Sequence, residues 1–344
     1  MKKILIMVLL VAVSVMMMVG CSLGGDAATG APADSNSAAP EEIDVSQLVI
    51  GVSMLTQDAP YYVAQVEAIQ EKGAELGVKE VIMTDAQGDM NKQVSDVEDL
   101  LSKGIDILIL NPKDPLALVS ATKKAMSQGI PVIVIDSAID ESADIVAAIS
   151  SDNDANGKLV GEWFVGQMGG KDIKLAVMSG SQGSVVGQIR RLSTISGIVE
   201  TMLQQKNSTQ GFEIVTQGWG GWNQEGGLDA MQDILVAHSD INALLAENDS
   251  MALGALKAIQ EAGLEDQILV FAAADGQKEA YALIKEGKYG ATGLNDPALI
   301  GETAVDVALR YLSGERGFPR NYYTPPACIT IDNVDEYYDP NSTF

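Results

Sequence analysis

From residue 48 onward, short aliphatic runs alternate with amphipathic stretches almost without a break, which restricts the chain to an α/β fold built on parallel sheets. Runs such as Ile107-Leu108-Ile109-Leu110 and Val132-Ile133-Val134-Ile135 have no polar face, as expected of strands covered by helices on both sides. The first predicted series is strand 48–54, helix 61–76, strand 80–84, helix 90–103, strand 106–110, helix 116–128 and strand 131–135. A second series follows as strand 145–150, helix 157–168, strand 173–178, helix 184–205, strand 212–217 and helix 224–237. It continues with strand 241–246 and its helix, strand 268–273, helix 277–286 and strand 290–294. A closed (β/α) barrel also alternates, but it would need eight units around one core and the count here overshoots that. Two similar βα halves of roughly 100–150 residues each indicate two doubly wound domains.

The strand ends share a second pattern. Five of them run into Asn or Asp: Asn111, Asp136, Asn248, Asp275 and Asn295. Each residue alone reads as a turn or cap, but in an open parallel sheet the carboxyl ends of the strands are where ligands bind. Together they would line two facing edges with short, rigid hydrogen-bonding groups. Asn248 sits in Glu247-Asn248-Asp249-Ser250, where a strand enters a helix. Asp249 or Ser250 is expected to cap that helix, leaving the Asn248 amide free to point at a ligand.

Aromatic residues form only 5% of the chain, so those near strand ends are informative. Tyr61 and Tyr62 follow the first strand, and Trp219 and Trp222 follow strand 212–217. Aromatic faces beside fixed amides and carboxylates suit a polyhydroxylated ring, with its apolar C–H faces and hydroxyl rim. Trp219 is expected to be core filling. Arg190 and Arg191 lie in the helix after Gly180-Ser181-Gln182-Gly183-Ser184, which lacks both the P-loop Lys-Ser/Thr and the dinucleotide spacing. One of these arginines facing the cleft could bond vicinal hydroxyls or a ring oxygen.

No enzyme constellation assembles. His238 is the single histidine, placed at a helix end, and there is no HExxH, no Gly-x-Ser-x-Gly elbow and no cysteine pair at metal spacing. Carboxylates are numerous enough that an acid–base pair stays open on the sequence alone. The net charge of −25 repels nucleic-acid phosphates and fits a solvated surface, so no nucleic-acid partner is expected.

The opening residues have the layout of a secretory leader, with Lys2 and Lys3, an apolar run over 4–19, then Gly20-Cys21. Residues 21–46 are mainly small and polar and read as a flexible tether. The Gly20-Cys21 junction resembles the lipobox of bacterial lipoproteins, although Met18-Val19 stands where Leu and a small residue are usual. That resemblance implies cleavage after residue 20 and lipid attachment at Cys21, leaving Cys328 with no partner for a disulfide.

The body from about residue 48 to about 331 resembles the periplasmic sugar-binding proteins of the ribose and glucose/galactose type. The stretches that carry the likeness are Ile109-Leu110-Asn111-Pro112-Lys113-Asp114-Pro115, Gly129-Ile130-Pro131 through Asp136, Ser150-Ser151-Asp152-Asn153, and residues 247–259. The resemblance implies two doubly wound domains joined by a three-segment hinge, 47–150 with 296–325 and 151–295 with 326–338. It implies ligand contacts at Tyr61, Tyr62, Asn111, Asp136, Ser137, Arg190, Trp222, Asn248, Asp275 and Asn295. Ser137, Ala59 and Ala274 depart from the family pattern, standing respectively for an arginine, a polar residue and an aromatic. The calcium loop of galactose binders is absent, because Gly169-Gly170-Lys171-Asp172 is too short, and no cofactor or metal is expected.

The expected role is a monomeric, lipid-anchored binding subunit of an ABC importer, taking a sugar or polyol and delivering it to a membrane permease. A sensory subunit presenting a sugar-like or furanosyl signal would have the same pocket. A repressor of the same fold would need a helix-turn-helix where this chain has an export signal. Cys21→Ala should move the protein from the membrane fraction to the soluble fraction of lysed cells; an unchanged distribution would remove the lipid anchor.

Overall fold

The computed structural model describes residues 43–344; the leader, Cys21 and most of the tether lie outside the described residues. One sheet contains β1 (Val49–Met54), β2 (Glu80–Asp85), β3 (Ile107–Leu110), β4 (Val132–Ile135), β5 (Ala147–Ser151) and a late strand, β11 (Asn321–Thr324). Their order is β11-β5-β4-β3-β1-β2 and every pairing is parallel. The other sheet contains β6 (Ile173–Ser179), β7 (Phe212–Trp219), β8 (Ala243–Ala246), β9 (Leu269–Asp275), β10 (Thr292–Leu294) and β12 (Cys328–Ile329). It is ordered β12-β10-β9-β8-β6-β7, parallel except for β12 against β10. In each sheet the order reverses beside its first strand, between β1 and β3 and between β6 and β8, and such switch points are where open α/β sheets take ligands.

Helices α1 (Pro60–Glu75), α2 (Met90–Ser102) and α3 (Val119–Ser127) follow strands of the first sheet. Those of the second half are α4 (Asn153–Met168), α5 (Val185–Lys206), α6 (Gln224–Ala237), α7 (Asp249–Glu261) and α8 (Lys278–Lys285). The alternation thus gives the expected two doubly wound halves, called lobes below. It did not give α9 (Pro297–Leu312), which starts on the Asp296 carboxylate and Pro297 and returns the chain to the first lobe. There Ile300, Ala304 and Val305 join Ile50, Ile69 and Ile149 in one buried core. The chain crosses between the sheets three times, after β5, after β10 and between β11 and β12, as a three-segment hinge requires.

Both sheets have solid cores. Ile107, Leu108, Ile109 and Leu110 are all fully buried, as the lack of a polar face predicts. Trp219 corrects its sequence reading: it ends the edge strand β7 and is 41% exposed rather than filling the core.

In the second lobe α4 and α5 press backbone to backbone. A methyl group at Gly161 would lie 2.3 Å from the Thr194 carbonyl oxygen and 2.8 Å from the Ile198 nitrogen. Both obstacles are main-chain atoms, so neither can swing aside. Gly161→Ala should lower the unfolding free energy in urea by about 1–3 kcal/mol through overpacking, with far-UV dichroism unchanged. A stability equal to wild type would mean the two helices separate freely.

Candidate functional site

In the first lobe, Pro60 starts α1 and places Tyr61 and Tyr62 in its first turn, with rings edge to face at 5.5 Å. Asn111 follows β3 and is fully buried. Its amide donates to Gln65 Oε1 at 3.2 Å and also to the Asp136 carboxylate, favouring its charged form, while its Oδ1 has no partner. The backbone here is pinned by Gln93, whose amide donates to the Asn111 carbonyl and accepts from the Lys113 N–H, each at 2.8 Å. Asp136 leaves β4 in a left-handed turn with φ of 60°, a conformation Asp tolerates, and Ser137 follows it half-buried. The Tyr61 hydroxyl donates to Asp136 Oδ1 at 2.8 Å. Burial pushes the Asp136 carboxyl above its ordinary range, with the Tyr61 bond and the Arg190 charge pulling the other way.

Arg190 organises the second lobe. Only 5% exposed, it points from α5 beneath the ends of β8 and β9. Nε donates to Asn153 Oδ1 at 2.8 Å, Nη1 to the Glu247 carbonyl at 3.2 Å, and Nη2 pairs with Asp275 Oδ1 at 2.8 Å. Asn295 donates to the same Asp275 oxygen at 2.9 Å, and its own Oδ1 lies 3.1 Å from the Tyr61 hydroxyl. That hydroxyl therefore has an acceptor from each lobe and one proton to give.

The strand end at β8 differs from its sequence reading. Asn248 is the cap of α7: its Oδ1 accepts from the Met251 N–H at 3.1 Å, while its amide reaches the Trp222 carbonyl at 3.4 Å. Asp249 does not cap its own helix. Fully buried, it turns back to accept from the N–H groups of Asp275, Gly276 and Gln277 at 3.1, 2.7 and 2.8 Å, and from the Tyr289 hydroxyl at 2.7 Å. It thus caps α8 from outside, where Gln277 supplies no side-chain cap, and fixes the turn that carries Asp275. Ser250 bonds Gln277 instead of the α7 terminus. The residue before a helix and the first residue inside it are one position apart, and the apolar period is too coarse to separate them.

Trp222 sits at φ 66° between β7 and α6, and its indole lies against bare backbone. A methyl group at Gly180 would fall 1.9 Å from the ring, so only glycine leaves room for this wall. Glu247 fixes the same loop by accepting the Gly180 N–H at 2.8 Å and pairing with Arg191, which also donates to Ser179. Gln65, Gln93 and Glu247 are supports that sequence reasoning gave no role, and Asp249 was expected only as the cap of its own helix. The clue at Glu247 and Asp249 was two carboxylates flanking Asn248 at the end of an apolar strand.

Tyr61, Asp136, Arg190, Asp275 and Asn295 form one connected hydrogen-bonded cluster. Asn111 reaches Asp136 beside it, and Asn248 and Trp222 form a neighbouring pair. Two parallel sheets whose carboxyl ends are bridged by such a cluster have the layout of a two-lobed solute-binding protein. A family model for the periplasmic binding protein domain matches residues 50–316, and the chain belongs to that family. It is 35% identical over 270 residues to the ribose import binding protein of Bacillus subtilis, covering 78% of this chain and 83% of that protein. Among solved structures it is similar to a solute-binding protein of Actinobacillus succinogenes with bound D-allose, at TM-score 0.75 and 26% identity over 85% of this chain and all of that one. Another, from Bacillus halodurans with bound myo-inositol, gives TM-score 0.72 and 29% identity, with 86% of this chain and 98% of that one covered. The expectation of a type I binding protein of the ribose and galactose kind is borne out, and the family is one of solute carriers rather than enzymes.

The buried carboxylate has a stability signature. Because the folded-state pKa of Asp136 is raised, the folded protein holds this proton more tightly than the unfolded chain, and stability falls as pH rises through that window. Below the ordinary Asp value of about 3.9 the carboxyl is neutral in both states and no penalty exists. Asp136→Asn keeps an oxygen for Tyr61 and removes the charge. In the sugar-free protein its thermal midpoint should exceed that of wild type by a margin that widens from pH 4 to pH 7. A margin that is constant or shrinks would mean that Asp136 is not desolvated.

Proposed function

We propose that this chain is the lipid-tethered capture subunit of an ABC importer, and that it holds a neutral monosaccharide or polyol between its lobes for delivery to a membrane permease. The observation that carries the ligand class is the character of the unengaged groups in the cluster. Arg190 uses all three nitrogens on protein acceptors, whereas Asn111 Oδ1 is buried without a donor. The Asp275 carboxylate spends one oxygen on Arg190 and Asn295, and its second oxygen has no hydrogen bond among the described residues. A cleft with spare acceptors selects a ligand rich in hydroxyl donors and disfavours phosphates and carboxylates.

Support for sugars or polyols also comes from the relatives, whose names or bound compounds are ribose, D-allose and myo-inositol. Tyr61 and Tyr62 on one side and Trp222 on the other would cover the C–H faces of such a ring. Ser137, Ala59 and Ala274 leave this cleft with less bulk and one charge fewer than the family pattern. The proposed lobes are 47–150 with 296–325 and 151–295 with 326–338, in accord with the membership of the two sheets. Closure about the three crossovers would be driven by contacts that a ligand makes to both lobes at once. Export and anchoring rest on the leader and Cys21; among the described residues no helix is long and apolar enough to cross a membrane.

A thermal-shift panel of pentoses, hexoses, inositols and linear polyols on the folded body tests the ligand class. At 100 times its dissociation constant a true ligand adds about 2.7 kcal/mol of stability. A shift only with nucleosides or amino acids would overturn it. Asp275→Asn keeps acceptors for Arg190 and Asn295 but loses the charge, and should weaken binding of any sugar found by about 10- to 100-fold, or about 1.4–2.8 kcal/mol, in calorimetry. Unchanged affinity would remove Asp275 from the pocket.

A further inference from the structure

The family match ends at residue 316, and beyond β12 the chain runs on for fifteen residues that the binding site described so far does not use. These residues start in the second lobe. Val334 is buried in its core, Lys285 of α8 pairs with Asp335, and the Lys285 ammonium lies 5.0 Å from the Tyr338 ring centre. Lys278, at the start of α8, donates to the Ser342 carbonyl. A local turn then sets the direction: Asp339 accepts from the Asn341 N–H at 2.8 Å, and Ser342 Oγ donates to the Phe344 carbonyl at 2.7 Å.

From there the segment reaches the other lobe. Thr343 Oγ1 donates to Glu67 on α1 at 2.6 Å, and the Phe344 ring meets Tyr61 edge to face at 5.3 Å and 85°. Tyr61 therefore has two perpendicular ring partners, Tyr62 from its own helix and Phe344 from the carboxy-terminal segment. Behind the segment lies a cavity of about 470 Å³ lined by α1, the start of α9 and α8, so this is a strap across a gap rather than a tail packed on a surface.

We propose that residues 339–344 are a strap that holds the two lobes together and that Phe344 is a positioning residue for Tyr61. Phe344 is anchored through Lys278 and Lys285 to one lobe and touches the ligand-wall aromatic of the other, so its contact exists only while the lobes are apposed. A contact made in only one of two states shifts the equilibrium toward that state. The exposed Thr343–Glu67 bond adds little, and the half-buried ring pair carries most of the effect. The strap also braces the Tyr61 hydroxyl between Asp136 and Asn295, the point at which the lobes already meet. A ligand would then bind a chain biased toward closure and leave more slowly.

The inference rests on the hinge-closing reading above, and its test separates the two. Phe344→Ala, Phe344→Leu and Phe344→Tyr are compared with wild type, first without any sugar. Solution X-ray scattering should show a larger radius of gyration for the Ala variant, and amide exchange over residues 61–65 should be faster by about tenfold. Phe344→Tyr should restore both and Phe344→Leu should not, since the ring edge is what Tyr61 meets; the denaturation midpoint should stay close to wild type. With D-ribose, D-allose or myo-inositol as probe, dissociation from the Ala variant should be about tenfold faster and association little changed. Wild-type scattering and exchange in Phe344→Ala would overturn the strap whatever the sugars do. Failure of all three sugars to bind wild type would count against the ligand reading and leave the sugar-free measurement to decide the strap.

Discussion

The Arg190 guanidinium is the interaction on which the site depends. An ion as buried as this one is expensive to remove from water and is tolerated only when its donors are matched. Its partners come from three places: Asn153 at the start of α4, the Glu247 carbonyl at the end of β8, and Asp275 at the end of β9. Losing any of them would leave a buried donor unpaired, so the three elements are held in one relative position. Asn295 then attaches to Asp275, and Tyr61 reaches from the other lobe to Asn295. A single cation thus sets the geometry of the second lobe's rim and, through two further bonds, the place where the first lobe meets it.

Beneath that rim, three consecutive residues have three destinations. Glu247 turns under Trp222 to hold Gly180 and Arg191, Asn248 caps α7 and touches the Trp222 carbonyl, and Asp249 crosses to the turn that carries Asp275. These residues form the turn from β8 into α7, where the backbone changes direction at each step, and a carboxylate reaches each neighbouring loop with the capping amide between them. Asp249 faces the amino terminus of α8, whose free N–H groups favour a negative charge, while burial pushes its carboxyl upward. The Tyr289 hydroxyl supplies a further donor from the far side. One buried acid therefore ties two helices, a strand end and the turn that carries Asp275.

Most of this architecture was legible because both of its signals are periodic. Fully apolar runs such as Ile107–Leu110 can only be strands covered on two faces, and a short polar residue at the end of each one marks the rim. What escaped was non-periodic. The helix from Pro297 to Leu312 and strands β11 and β12 fall outside the regular βα series because the chain is there crossing between lobes. Trp219 was misplaced because an edge strand exposes a flank that its apolar content does not reveal. The exchange of roles between Asn248 and Asp249 turns on which side chain bends back and which bends across, a tertiary choice made by Tyr289 and the α8 terminus rather than by local propensity.

The remaining question is why a cleft of this kind should close on a ligand rather than stay shut without one. Asp136 belongs to the first lobe and Asp275 to the second, and the Asp275 charge raises the cost of ionising Asp136 across the gap. Apposing the lobes therefore brings like charges together while stripping them of water. Arg190 offsets part of this, and the Tyr61 proton satisfies one acceptor but cannot serve both Asp136 and Asn295 fully. Hydroxyl donors placed between the two carboxylates would supply the missing bonds to both lobes at once, which is the differential stabilisation that closure requires. A ligand lacking one of those hydroxyls leaves a buried acceptor unpaired at about 1–3 kcal/mol. On the proposed reading, selectivity and closure would draw on the same acceptors, so a poorly matched compound would both bind weakly and fail to hold the lobes together.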